Sequence, residues 1–541
     1  MKLNIISKIM LLPAVAISAC TGNYMDINRN PYEVDKGQMQ TDGYAASAAM
    51  KALCSSVIST DINTTQFTEA LLGSVCGGYY ATTNHGFANT IDNYNPTDNW
   101  TNVLMASDQI IPKLYANLDE LKGLTDDDSV LAIAQVVKVC AMNRVTDTFG
   151  PIPYSQIGQD GKIQVAYDSQ EQVYDRMFEE LNEAIEILTN CSIRSISSSI
   201  DPIYGGDLDK WCRFANSMKL RLAMRIVYAA PEKAREMAES AVNTDNGAYG
   251  VIISNSDNAT LPSTAFGKDG NPLRVCTRYN TPEHSGNGSC LTGGDSHVAA
   301  DIICYMNGYN DPRRAQYFVP SEWDGYEFVG MRRGIEIPSM NEIGHKFSGV
   351  NVSTDTPLQW MNAAEVAFLR AEAAAIFGFN MQGDAKSFYE QGIRLSFEQW
   401  GASGVDGYLA DDQSTPERYT DPTGNNSYSE LLSSVSVAWK DDESVQERII
   451  IQKWIANFNI GHEAWNDYRR TGYPHLIPAT ETGNKSGGVV DSKLGARRMP
   501  YPQAEYTNNA TNIQQAITEY LGGPDNMATR IWWDCNPAIG K

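Results

Sequence analysis

Apolar residues recur at three- and four-residue steps along much of this chain, which is the spacing of one face of an α-helix. An apolar helical face must be covered by another element, so the chain is constrained to fold as helices packed against one another. The clearest stripes run from Ile111 to Leu121, Val173 to Leu188, Trp211 to Ile226, Val366 to Ile376 and Tyr389 to Trp400.

Several of these stripes are arranged as neighbouring pairs. The last two are separated by a break from Gly378 to Gly383, which predicts that their helices fold back as a hairpin. Similar pairs are predicted within residues 102–190 and 207–243, where Pro231 begins the second helix of the latter pair. The markers of tetratricopeptide repeats do not recur at a strict period of 34 residues, so the repeats are degenerate.

Two stretches interrupt the helical pattern. Residues 247–296 and 311–359 are rich in Gly, Asn, Ser, Thr and Pro and contain short aromatic runs, which are typical of loops with a few short strands. The predicted fold class is therefore mainly α, with degenerate tetratricopeptide-like helix pairs packed against an irregular, loop-rich half.

The first twenty residues have the pattern of a bacterial lipoprotein leader. Lys2 and Lys8 form a basic region, an apolar stretch follows, and Ile17-Ser18-Ala19-Cys20 ends in cysteine just beyond a small-residue cleavage pattern. We expect the Cys20 thiol to be diacylated and Cys20 to become the mature N-terminus, which anchors the chain to a membrane. No later segment approaches the ~20 consecutive apolar residues of a spanning helix.

These patterns predict one folded body that a tether connects to a lipid anchor. Residues 1–19 are the expected signal peptide, residues 20–40 the lipidated N-terminus and tether, and residues 41–541 a single body. Within that body we expect helical repeats mainly at 41–245 and 360–475, a loop-rich insert at about 246–359, and an irregular C-terminal region at 476–541.

Charge and motif content argue against several functional classes. The net charge of −23 repels nucleic acid, so no nucleic-acid partner is expected. No Cys-x-x-Cys pair, His-Glu-x-x-His, Gly-x-Ser-x-Gly or phosphate-binding glycine loop is present, so no metal, cofactor or catalytic residue is predicted. A glycosidase carboxylate pair is defined by spatial separation and stays open as an alternative.

Loop aromatics among amides and carboxylates suggest carbohydrate binding, because sugars combine apolar C–H faces with hydroxyl groups. Such rings must be exposed, whereas Trp211, Trp400, Trp454 and Trp465 lie in helical stripes and are predicted core residues. The arginine pairs 332–333, 469–470 and 497–498 are predicted to make structural ion pairs. The candidate ligand-binding residues are Tyr79, Tyr80, Asn84, Tyr94, Trp100, Tyr279, Trp323 and Tyr326.

Short motifs occur in a characteristic order along nearly the whole chain. They are Asn28-Arg29-Asn30-Pro31, residues 147–154 (DTFGPIPY), Asn310 to Arg313, residues 364–373 (AEVAFLRAEA), residues 389–401, residues 463–474 (EAWNDYRRTGYP), residues 497–502 (RRMPYP) and Trp532-Trp533-Asp534. In this combination the sequence resembles the SusD/RagB outer-membrane lipoproteins.

The resemblance implies four tetratricopeptide-like helix pairs that support an irregular half, and a lipid-anchored location on the outer membrane at the cell surface. It also implies capture of an oligosaccharide during polysaccharide utilisation, without catalysis, for a SusC-like TonB-dependent transporter. Glycan contacts differ between members of this family, so only Cys20 carries over by motif. The alternatives are a peptide-binding lipoprotein of RagB type, a protein-binding scaffold or adhesin and, less favoured, a secreted glycoside hydrolase.

Overall fold

The structure is a computed structural model that describes residues 43–105, 109–159, 164–278, 295–338 and 346–540. The α-helices in these ranges are α1 Tyr44–Cys54, α2 Ile62–Thr65, α3 Ser74–Cys76, α4 Asn102–Met105, α5 Ile111–Leu124, α6 Asp128–Phe149, α7 Gln170–Asn190, α8 Leu208–Arg225, α9 Pro231–Ala241, α10 Pro272–Arg278, α11 Ala300–Gly308, α12 Arg314–Tyr317, α13 Ala363–Phe377, α14 Ala385–Gln399, α15 Val405–Leu409, α16 Val445–Ala456, α17 Gly461–Thr471, α18 Gln503–Asn508 and α19 Ala510–Gln515.

Strands are few and short, and each one pairs antiparallel with a strand that is distant in sequence. They are β1 Tyr80–Thr82, β2 Ala259–Leu261, β3 Ser296–Val298, β4 Phe318–Val319, β5 Gly349–Val350 and β6 Leu358–Met361. Within the described ranges the strands form three two-stranded sheets, β1 with β3, β2 with β6, and β4 with β5. The predicted fold class is confirmed, because helices dominate the described residues and only short strands accompany them.

Side-chain caps set where the long helices begin. Asp127, Asp207, Asn362 and Asp384 each accept a hydrogen bond from a backbone N–H in the first turn of α6, α8, α13 and α14. Ser169 caps α7 in a reciprocal pair with Gln172. A cap of this kind typically stabilises a helix by about 1 kcal/mol, because it satisfies donors that have no partner within the helix.

Consecutive helices pack as pairs, and the pairs pack on one another. Helix α6 lies against α7, α8 against α9, and α13 against α14, while α7 contacts α8 and α13 contacts α16. The predicted hairpin of α13 and α14 and the start of α9 at Pro231 are both confirmed. Gly392 of α14 allows α13 and α14 to pack closely, since a Cβ there would lie 2.7 Å from the ring of Phe368.

Helix α6 passes through the centre of this body. Among the described residues it alone is long and apolar enough to cross a membrane, yet 78% of its most apolar window is buried within the protein. Its apolar side chains, such as Ile133, Val137 and Met142, are fully covered. Helix α6 therefore has the burial of a core helix.

Glycines bring the segment before β1 against the start of α17. A Cβ on Gly77 would lie 2.7 Å from the carbonyl oxygen of Gly461, and a Cβ on Gly73 would collide with the ring of His462. Any side chain at these positions would force the two elements apart. The glycine-rich run after α3 is therefore part of the packed interior.

Charged side chains lie inside the helical body and connect its helices. Arg225 of α8 pairs with Asp147 of α6 at 2.7 Å and with Glu463 of α17, and these three side chains are almost fully buried. Arg221, one turn earlier, holds Glu365 of α13 through two hydrogen bonds of 2.8 Å. Because each buried charge faces an opposite charge, these pairs fix how α6, α8, α13 and α17 meet.

A second buried cluster joins α16 and α17 to α13. Asp467 lies 2.8 Å from the Lys453 ammonium and 3.1 Å from the Arg470 guanidinium, and Arg470 also holds Glu372 at 2.7 Å. Burial opposes ionisation of Asp467, but Lys453 and Arg470 outweigh it and lower its pKa to about 2. Asp467 is therefore a permanently charged link within the core.

The structure confirms the predicted structural role of the arginine pairs. The guanidinium groups of Arg333, Arg470, Arg497 and Arg498 pair with buried or half-buried carboxylates. Arg332 and Arg469 bond mainly to backbone carbonyls and, for Arg469, to Asn466. The predicted core tryptophans Trp211, Trp454 and Trp465 are buried, and Trp400 is half-buried against the core.

We expect Asp467→Asn to lower the free energy of unfolding by about 3–5 kcal/mol, because the buried charges of Lys453 and Arg470 lose the carboxylate that they share. The matched control is Asp406→Asn, which removes an exposed ion pair with Arg394 and should change stability by less than about 0.5 kcal/mol. Urea denaturation at pH 7 measures both changes. Equal destabilisation by the two substitutions would contradict a special role for the buried cluster.

We also expect stability to decline between pH 6.5 and pH 4. Burial lowers the pKa of His462 to about 4, whereas an unfolded histidine titrates near about 6.5. In this window the unfolded chain binds a proton at His462 that the folded chain does not. The contribution of His462 to the free energy of unfolding therefore falls as the pH falls, by about 3 kcal/mol across this window.

Replacing His462 with Gln should flatten this dependence, as measured by urea denaturation at several pH values. The control is His85→Gln at an exposed ring. A pH dependence that is unchanged in the His462 variant would contradict the assignment.

Candidate functional site

Strand β3 is buried and joins loop segments that are distant in sequence. Strand β3 pairs with β1 through the register Ala81 to His297, and the N–H of Val298 donates to the Ser348 carbonyl beside β5 at 3.2 Å. Side chains alternate between the two faces of a strand, so Asp295 and His297 lie on the same face. Side chains from three distant parts of the chain gather there.

A tight turn carries two of the predicted aromatic residues. The N–H of Tyr326 donates to the Trp323 carbonyl at 3.2 Å, and Gly325 has φ 84°, as a type II turn requires at that position. The Ser321 hydroxyl closes the base of the turn by donating to the Tyr326 carbonyl at 2.6 Å. Trp323 and Tyr326 are both half-buried, so part of each ring lies at the surface.

Trp323 is held in place by residues beside β5. Its ring meets Phe347 edge to face at a centroid distance of 5.9 Å, and the Lys346 ammonium lies 4.8 Å from its centroid. The edge of Phe347 lies in turn against His297 at 6.5 Å. We call Trp323, Tyr326, Lys346 and Phe347 the Trp323 platform. It is an aromatic surface in which the Lys346 ammonium lies over the Trp323 ring.

An amide and carboxylate cluster lies on the same face of β3. Asp295 accepts a hydrogen bond of 2.7 Å from the Asn84 amide and another from Gln66. Burial raises the pKa of Asp295, although both amides favour its charged form. The platform and this cluster together offer a ring surface and planar hydrogen-bonding groups, which is the combination that a sugar requires.

Three of the predicted ligand-binding rings are buried, which corrects their exposure as inferred from the sequence. Tyr79 stacks on Trp454 at 5.5 Å and its hydroxyl donates to the Trp454 carbonyl, while the Tyr80 hydroxyl donates to Asn459. Trp100 is 5% exposed and meets Phe67 and Phe87 edge to face. These rings are covered by the helical body and offer no face to a ligand.

The remaining predicted residues fall into three groups. Asn84 lies in the cluster with Asp295, and Trp323 and Tyr326 lie in the platform beside β5. Tyr94 is half-buried beneath another loop, where it lines a cavity of about 20 Å³ with Asp92 and Arg333. Burial raises the pKa of Tyr94, although Arg333 opposes this rise. Tyr279 and Cys20 lie outside the described residues.

A larger concavity lies on a different part of the surface. It has a volume of about 400 Å³ and is lined by three sequence segments, by the end of α17 and by the C-terminal Ala538 and Ile539. The rings of Tyr473 and His475 lie within it at a centroid distance of 5.1 Å. We call this concavity the Tyr473 cleft. It shares no residue with the Trp323 platform.

Arginines brace the walls of the Tyr473 cleft. Arg332 donates to the Pro478 carbonyl on one wall and to the Asn426 and Ser427 carbonyls beside another, at 2.8–3.2 Å. Arg530 donates to the Ile539 carbonyl at 2.8 Å and so holds the C-terminal wall. The cleft is therefore formed before any ligand arrives.

Sequence reasoning missed the residues that complete both surfaces. Gln66 and Asp295 meet in the amide and carboxylate cluster, and Lys346 meets Trp323 in the platform, through contacts between separate segments of the chain, so no local pattern identifies them. Tyr473 belongs to one of the recognised motifs, but its position beside a cleft depends on the C-terminal segment. Among residues 43–105, 109–159, 164–278, 295–338 and 346–540, no group of three or more His, Cys, Asp or Glu side chains is placed to hold a metal ion.

Comparison with known proteins places these features in a family. The profile of the SusD-like family, described as SusD and RagB outer membrane lipoprotein, matches residues 26–534. No match was found among curated proteins.

Solved structures of similar proteins agree with this match. The crystal structure of a SusD homologue from Bacteroides uniformis has 56% identity and a TM-score of 0.87, covering 92% of this chain and 100% of that chain. A SusD homologue from Bacteroides thetaiotaomicron has 37% identity and a TM-score of 0.81 over 91% of this chain and 99% of that chain. A chitin-binding SusD homologue from Flavobacterium johnsoniae has 36% identity and a TM-score of 0.80 over the same shares. The chain belongs to the SusD-like family of outer membrane lipoproteins.

Proposed function

We propose that this protein is a glycan-binding lipoprotein of the cell surface that captures an oligosaccharide and passes it to a SusC-like TonB-dependent transporter without chemical change. The observation that carries the binding role is the Trp323 platform beside the Asn84, Asp295 and Gln66 cluster. The family relative from Flavobacterium johnsoniae, which binds chitin, supports the same class of ligand.

The roles of the platform residues follow from sugar chemistry. The exposed part of the Trp323 ring offers an apolar face for the C–H groups of a pyranose, and Tyr326 extends that face. Asn84 and Asp295 supply donors and acceptors for hydroxyl groups at one side. Since Phe347 and Lys346 already hold the indole in place, little side-chain freedom is lost when a sugar stacks on it.

Anchoring and location complete the proposal. Residues 1–19 are removed as a signal peptide, Cys20 is acylated, and residues 20–40 connect the lipid to the body at 41–541. An anchored body of this kind stays beside a transporter in the same membrane, so a captured sugar has a short distance to travel. Membership of an outer membrane lipoprotein family supports this arrangement.

We expect Trp323→Ala and Tyr326→Ala to weaken glycan binding by about tenfold or more, because an anchoring aromatic contact contributes roughly 1–2 kcal/mol. The soluble form that starts after Cys20 is first screened on a glycan array and then titrated by calorimetry, with chitooligosaccharide among the probes. The matched control is Tyr44→Ala, at a tyrosine that is 60% exposed on α1.

The outcomes separate the competing functions. Unchanged affinity in both platform variants, with intact thermal melting, would reject the platform. Binding of peptides but of no glycan would favour the RagB-type or scaffold alternative. Release of new reducing ends from a bound glycan would establish a hydrolase instead.

We expect Cys20→Ser to abolish acylation and to release the protein from the membrane fraction. Incorporation of a labelled fatty acid and fractionation of cells that process bacterial lipoproteins measure the two effects. The control is Cys535→Ser at an exposed thiol, which should leave both unchanged. Label retained in the Cys20 variant would contradict the proposed anchor, and protection of the wild-type protein from protease on intact cells would contradict its surface location.

A further inference from the structure

The Tyr473 cleft combines apolar walls with polar groups that are not engaged elsewhere. Leu431 is 42% exposed, and Leu476, Leu494 and Ile539 are half-buried where they line the same space. A volume of about 400 Å³ falls within the roughly 300–1,000 Å³ of small-molecule sites. The cleft therefore suits one small ligand with an apolar part.

Several polar groups at the cleft are already satisfied. The Arg497 guanidinium is held by Asp534 at 2.5 and 2.7 Å and by the Arg469 carbonyl at 2.6 Å. The Tyr468 hydroxyl donates to the Lys493 carbonyl at 2.5 Å. These groups maintain the wall and are not free to bind an anion, which argues against a phosphorylated or sulfated ligand.

Other polar groups at the cleft remain available to a ligand. Among the residues that the structure describes, neither the Tyr473 hydroxyl nor the Lys493 ammonium has a side-chain partner within hydrogen-bonding distance. Glu430 is exposed and accepts one hydrogen bond of 2.9 Å, from Tyr428, so its carboxylate can accept others. Lys493 and Glu430 have opposite charges, which favours a neutral polar ligand over an ion.

We infer that the Tyr473 cleft is a second carbohydrate site, separate from the Trp323 platform, which holds one sugar unit bearing an acetamido group. The inference rests on the proposed glycan-binding function and specifies the substrate class. The rings of Tyr473 and His475 meet the pyranose, and the aliphatic wall takes the acetyl methyl group. The acetamido N–H donates to Glu430 and its carbonyl accepts from Lys493 or the Tyr473 hydroxyl.

The test is binding of N,N′-diacetylchitobiose to the soluble form that starts after Cys20, followed by saturation-transfer NMR and calorimetry. Two variants alter the cleft from opposite walls: Leu494→Trp fills it, and Tyr473→Ala removes a ring. The matched platform variant is Trp323→Ala. Thermal melting shows whether each variant is folded. If one cleft variant does not fold, the binding result of the other cleft variant decides whether the second site exists.

We expect each cleft variant to abolish binding at the cleft and Trp323→Ala to weaken binding at the platform by about tenfold or more. Trp323→Ala combined with Leu494→Trp should therefore retain only the weakened platform binding. Cellobiose, which lacks the acetamido group, should bind the cleft at least tenfold more weakly.

Binding that is lost in Trp323→Ala but unchanged in both cleft variants would overturn the second site and leave the proposed function intact. Equal affinity of the cleft for cellobiose would overturn the acetamido assignment. Absence of binding to any glycan in the wild-type protein would overturn the proposed function and this inference together.

Discussion

The buried carboxylate of Asp147 is the contact on which the arrangement of the helices depends. It is 0% exposed and accepts hydrogen bonds of 2.6–3.1 Å from five side chains that come from α6, α7, α8, α17 and the C-terminal segment. Burial raises its pKa while Arg225 opposes that rise, so the neighbouring donors are needed to keep the charge in place. The donors are Asn143, Tyr174, Arg225, Asn466 and Trp533.

A rigid interior of this kind lets the connecting segments carry the two surfaces that we propose bind glycan. The Trp323 platform lies on segments between helices, and the Tyr473 cleft is lined mostly by such segments. Each is fixed by contacts to residues beside a strand or by arginine bonds to carbonyls. Loops on a rigid scaffold can change sequence without disturbing the core. Family members with the same helical body can therefore present different binding surfaces.

The sequence predicted the helices better than the surfaces. Apolar stripes and the break after Gly378 were sufficient for the α13 and α14 hairpin, because helical periodicity is local. The burial of Tyr79 was not predictable in this way, since its partner Trp454 is 375 residues away. From sequence alone, the glycine-rich run after α3 is interpreted as an exposed loop, because the element that covers it is not known. Among the candidate residues that the structure describes, Trp323, Tyr326 and Asn84 kept the predicted combination of surface position and polar neighbours.

The pairing of β1 with β3 and of Asp147 with Trp533 has a consequence for how the protein acquires its shape. Residues 386 positions apart must meet before the central carboxylate is fully bonded, and β3 follows β1 by more than two hundred residues. Contacts of such high sequence separation form slowly. A chain that is synthesised from its N-terminus cannot complete this core until Trp533 has been added, so the final packing of the helices follows synthesis of the C-terminal segment.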